Sequence, residues 1–110
     1  MSNYITPDKV DSPRRNWRLI RVLQTGEQPD TYGRRVAVAI GTWRGEDDEN
    51  GRTVLAMRWN GDDDWPIGNP QSRGLPTWFI IPERLNDAVI DTLSKDDQIL
   101  VRSLLKDPKK

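Results

Sequence analysis

Four short apolar blocks separated by turn residues run from Trp17 to Ile81, and only after Pro82 does the apolar spacing change from two to three and four. The first block, WRLIRVLQT, predicts a strand near 17–25 that stops at Gly26, with Trp17, Leu19 and Leu23 on one face and Ile20 and Val22 on the other. The second, RRVAVAIGTWR, predicts a strand near 34–44 with two unlike faces. Val36, Val38 and Ile40 point one way, and Ala37, Ala39 and Gly41 the other. The small face calls for a closely approaching helix or backbone, with Trp43 at its rim. Asn50-Gly51 is a hairpin signal, because both residues tolerate positive φ. It introduces a third strand near 52–59, with Leu55, Met57 and Trp59 on one face and Val54 and Ala56 on the other.

TWFII, between Pro76 and Pro82, is unbroken apolar β sequence and predicts a strand near 77–81 buried on both faces, central or under a helix. Leu85, Ala88, Val89 and Leu93 then form a stripe at helical spacing, predicting a helix near 83–93 with Glu83 in its first turn. Ser94 followed by Asp97 resembles a capping box and opens a second helix near 95–106 through Ile99, Leu100, Leu104 and Leu105.

Strands followed by helices give an α+β domain: a mostly antiparallel four-stranded sheet with two C-terminal helices, at least one of them over the Ala37, Ala39, Gly41 face. The alternative is a small SH3-like or OB-like β-barrel with appended helices. Residues 1–16 read as a flexible N-terminal arm able to fold over the body through Tyr4, Ile5 and Val10; 17–106 form a single globular domain and 107–110 a polar tail. Five Trp argue for a real core, in which Trp17, Trp59 and Trp78 are expected.

The stretch between the third and fourth strands, NGDDDWPIGNPQSRGLP (60–76), is too long for a tight turn. Loops of this length in compact domains tend to be functional or disordered. Pro66, Pro70 and Pro76, with Trp65, Ile67 and Leu75 as anchors, favour order. Asn60, Asn69, Gln71, Ser72 and Arg73 are then polar groups on a stiff support. With Trp43, Arg44, Arg58, Trp59 and Trp65 they form the expected binding set, Trp65 serving as loop anchor or as contact residue.

Composition narrows the chemistry. Without Cys there is neither a disulfide framework nor a thiolate metal site, and without His the commonest general base and metal ligand is missing. Asp62, Asp63 and Asp64, and Glu46 to Glu49, lack the alternating spacing of a calcium loop, so no metal and no cofactor is expected. No apolar run approaches membrane-spanning length, and a cytoplasmic protein is the simplest reading.

The 17 basic and 17 acidic residues cancel, but residues 1–35 carry seven cations against four acids and 46–64 seven acids against two cations. A non-enzymatic module binding a protein through 60–76 is the leading expectation. The second is a nucleic-acid-binding protein using Arg14, Arg15, Arg18, Arg21, Arg34 and Arg35, with Trp17 or Tyr32 to stack bases. The third is a His-independent ribonuclease or other hydrolase built on Asp, Glu, Ser72 or Lys, with Arg58 or Arg73 stabilising an anionic transition state.

Overall fold

A computed structural model describes residues 5–27, 29, 33–45, 51–61 and 64–105. Three long strands, β1 (Trp17–Gln24), β2 (Val36–Trp43) and β3 (Arg52–Trp59), are joined by two pairs, β4 (Gln71–Ser72) with β5 (Leu75–Pro76), and β6 (Phe79–Ile80) with β3. The main sheet is antiparallel and open, in the order β1-β2-β3-β6. Two helices follow, α1 (Asn86–Ile90) and α2 (Lys95–Leu105), so the domain is α+β and not a closed barrel.

The sheet is buried on both faces, by different means. Directly opposed residues share a face, so the pairs Ala37↔Arg58, Ala39↔Ala56 and Gly41↔Val54 define one side, and Val38↔Met57 and Ile40↔Leu55 the other. The helices cover the second side, where Ile40, Leu55, Ile81, Ile90, Leu93 and Val101 form one core. The expected helix over the Ala37, Ala39, Gly41 face is therefore corrected. That face holds a separate core of Val10, Trp17, Ala37, Ala39, Ala56 and Trp78, whose two indoles lie 6.0 Å apart at 37°. The small residues make room for indole rings: a Cβ on Gly41 would run into the Trp17 ring and the Arg18 carbonyl. A branched face does pack under the helices, and a flat face under two tryptophans.

β1 departs from strict alternation. Register shifts between Leu19 and Arg21 and between Val22 and Gln24 insert Ile20 and Leu23 as extra residues. Leu23 consequently joins the helix-side core and Ile20 is exposed, which overturns the expected sharing of a face by Trp17, Leu19 and Leu23. β6 lies at the opposite end of the sheet, and only Ile80 and Phe79 pair with β3. Trp78 and Ile81 are buried, but Phe79 is 53% exposed, so the 77–81 stretch is an edge and is not covered on both faces.

The expected first helix begins as a 3₁₀ turn, Glu83–Leu85, and continues as α1, which ends at Ile90; a turn follows in which the Leu93 N–H bonds the Ile90 carbonyl at 2.9 Å. Ser94 caps α2: its Oγ accepts from the Asp97 N–H at 3.2 Å. The Asp97 carboxylate, rather than closing the box, faces Arg21 of β1 at 3.7 Å. Gln24 reaches the same way, donating to the Thr92 carbonyl at 3.1 Å.

Residues 5–16 fold over the indole face, as expected through Ile5 and Val10; Tyr4 lies outside the described residues. Val10 is fully buried after a 3₁₀ turn at Pro7–Lys9, Ser12 bridges Thr77, and the Ile5 N–H bonds the Pro66 carbonyl at 3.1 Å. The segment read as a flexible arm thus supplies core volume through Val10. The polar tail at 107–110 lies outside the described residues.

Candidate functional site

The 60–76 connection is held mainly by backbone hydrogen bonds and one arginine. Arg58 projects from β3 on the indole side, is 2% exposed, and donates its guanidinium to the carbonyls of Thr77 and Ile67. The middle of the loop and the chain just past its exit are thereby clamped to β3. Trp59 and Asn69 exchange backbone bonds at 2.8 and 2.9 Å, and the Thr77 N–H bonds the Pro70 carbonyl at 3.0 Å. Gly61 and Gly68 allow the strands of the loop to touch: a Cβ on either would strike a backbone carbonyl, of Trp65 and of Trp59 respectively.

The distal half is a miniature hairpin. Gln71 pairs with Pro76 and Ser72 with Leu75, leaving Arg73 and Gly74 as a two-residue turn with φ of 53° and 79°. Positive φ at both central residues is the type I′ signature, which Gly meets freely and Arg only at a cost.

Several expected binding residues are absorbed by this construction. Arg58 is a structural clamp. Asn60 donates its side-chain amide to the Thr25 carbonyl at 2.6 Å, and its N–H reaches Arg35 O at 2.7 Å. Gln71 donates to the Gly68 carbonyl at 2.8 Å. Trp43 and Arg44 sit elsewhere: Trp43 pairs with Arg52 while Trp59 pairs with Val36, so a full strand length of roughly 23 Å separates the two tryptophans. Of the three anchors, Ile67 is half-buried, but Leu75 is 59% exposed and Trp65 64% exposed. Trp59, expected in the core, is 43% exposed.

What the loop does create is an apolar cleft. On the helix side of the sheet, beyond the reach of the helices, Val36, Met57, Trp59, Pro70 and Phe79 line a depression of about 510 Å³, with Asn69 at its edge. Trp59 and Phe79 form its exposed rims. Trp59 and Asn69 also line a neighbouring, polar hollow of about 500 Å³ with Arg34 and Arg35, and the Arg34 guanidinium lies 5.1 Å from the centre of the Trp59 ring. Sequence reasoning missed Val36, Met57, Pro70 and Phe79, although the opposite parity of Phe79 and Trp78 in TWFII places them on opposite faces.

The six arginines expected at one edge do not converge. Arg34 and Arg35 flank the Trp59 hollow, Arg21 is paired with Asp97, and Arg14, Arg15 and Arg18 gather at the start of β1 around Trp17, whose ring is buried and closed to stacking. Tyr32, the other candidate stacking residue, lies outside the described residues, as do Glu46 to Glu49, Asp62 and Asp63. Among the described residues no group of three His, Cys, Asp or Glu side chains is placed to hold a metal ion, and no helix is long and apolar enough to cross a membrane. No family model, no curated protein and no solved structure matches the chain.

Proposed function

We propose that the protein is a small, non-enzymatic, cytoplasmic binding module that engages a protein partner through the cleft between Trp59, Phe79 and the 60–76 loop. The observation that carries this reading is the apolar cleft itself: two half-exposed aromatics over aliphatic walls, on a sheet stretch that the helices leave uncovered. Exposed aromatics of this kind dominate the energetics of protein interfaces. Arg58 and the Trp59–Asn69 backbone pair hold the loop side of the cleft in place, which lowers the ordering entropy lost on association. Arg58, one of the two arginines that a hydrolase would use on an anionic transition state, is engaged with main-chain carbonyls. Absence of Cys accords with a reducing compartment.

Peptide display against the purified protein tests the proposal. Selection from a random peptide library is expected to return a consensus with a large apolar anchor, whose affinity falls at least tenfold against a Trp59→Ala, Phe79→Ala double variant that unfolds cooperatively like the parent. Peptides that bind the double variant as tightly as the parent would place the site elsewhere.

A further inference from the structure

The N-terminal segment and the β4–β5 hairpin leave a second, differently charged depression. A hollow of about 740 Å³ has Lys9, Arg14, Arg15 and Arg73 in its walls; a smaller one of about 270 Å³ adds Arg18 and Arg44 and shares Arg14, Arg15 and Asn16 with the first. The two adjoin at these three residues and together make a trough from the Arg73 turn to the start of β1. Among the described residues its walls carry six cations and one acid, Asp11, which is paired with Arg14 at 3.1 Å, in a chain of zero formal net charge. All six cations are exposed.

Three elements distant in sequence build this surface: the segment 9–18, the end of β2 at Arg44, and the turn residue Arg73. Arg73 reaches it from a backbone conformation that disfavours Arg, φ 53°, so the charge is held where a glycine would be more comfortable. Beneath the cations the floor is apolar, formed by Ile5, Pro13, Pro76 and the exposed Leu75.

From this placement we infer that the trough binds single-stranded nucleic acid, independently of the cleft at Trp59. A nucleotide chain offers a phosphate at every step beside a flat, uncharged base, which matches a row of mostly Arg cations over an apolar floor. An acidic polypeptide would satisfy the cations and leave the floor bare.

The test is fluorescence anisotropy with labelled twenty-nucleotide oligo(U) and oligo(dT) against the full chain, with polyglutamate of similar length as a competitor. Engagement of about four phosphates gives a log–log salt slope of about −3, so binding weakens about 50-fold between 50 and 200 mM salt. An Arg15→Glu, Arg73→Glu variant is expected to lose at least tenfold in affinity. An Arg84→Glu, Arg102→Glu variant, with the same change in net charge but outside the trough, is expected to lose less than twofold. Equal losses in the two variants, or no binding of either oligonucleotide, overturn the assignment. Polyglutamate competing as well as oligo(U) also overturns it, in favour of an acidic protein partner. Circular dichroism of both variants separates lost binding from lost fold; should the double glutamate variant unfold, Arg73→Gly carries the same expectation of weakened binding.

Discussion

The indole N–H of Trp78 donates to the main-chain carbonyl of Val10, 2.6 Å away and 68 residues earlier in the chain. The bond joins the N-terminal segment to the strand that follows the long loop, inside the core on the indole side of the sheet. Val10→Ala should destabilise the protein by about 2 kcal/mol, from lost burial and the cavity left behind. Removal of residues 1–10 should cost far more and broaden or abolish cooperative unfolding in urea. A truncated protein with an unchanged midpoint would show that this half of the core contributes nothing.

The tight fit beneath the indoles gives a second expectation. Ala39→Leu and Gly41→Ala both place atoms where Trp17 and its neighbours already lie, and each should lower stability by roughly 1 to 3 kcal/mol. Ala88→Leu, on the exposed side of α1, should change it by less than about 0.5 kcal/mol. Thermal melts of the three variants check the contrast.

Replacing Arg58 with Met keeps much of the buried volume but leaves the Thr77 and Ile67 carbonyls without their donor. Leaving buried acceptors unsatisfied costs about 1 to 3 kcal/mol each, so a total loss of about 3 kcal/mol is expected. Faster amide exchange should be confined at first to the loop, at Asn69 and Thr77, whose N–H groups bond Trp59 O and Pro70 O. Uniform loss of protection across β1 to β3 instead would mean that Arg58 supports the whole sheet.

Arg73→Gly separates stability from binding by sign. Glycine relieves the positive φ, and after the greater entropy of the unfolded chain is subtracted a net gain of roughly 0.5 kcal/mol remains. The same change removes one cation from the trough. The melting temperature should rise while oligonucleotide affinity falls.

The architecture was legible from the chain because β2 and β3 alternate without interruption, so their faces, and the cap at Ser94, follow from local pattern alone. What was not legible depended on partners. The bulges at Ile20 and Leu23 arise from how β1 matches β2, and WRLIRVLQT carries no local mark of them. Both faces of β2 are apolar, so nothing local says which takes helices and which takes indoles. Arg58 in an alternating strand reads as a surface residue; its burial depends on carbonyls nine and nineteen residues away. The Arg73-Gly74 turn did leave a signal, an X-Gly pair between two short extended segments, although the favoured Asn or Asp is absent. For the candidate site, Trp59, Asn69 and Arg73 were anticipated, whereas Phe79 was hidden by an apolar run that suggested burial on both sides.

The two irregularities of β1 bear on a hazard of open sheets. β1 is a terminal strand of eight residues, long enough to template pairing with another chain. Each extra residue shifts the outward-facing N–H and C=O groups out of step, so an incoming straight strand meets a run of matched donors and acceptors no longer than about three residues. Exposed Arg18 and Arg21 set charge on either side of Ile20, the exposed apolar residue of that edge. Deleting Ile20 would remove the first shift and leave the one at Leu23, so the matched run would extend from Trp17 to Val22, and the variant should aggregate more readily than the parent at the same concentration.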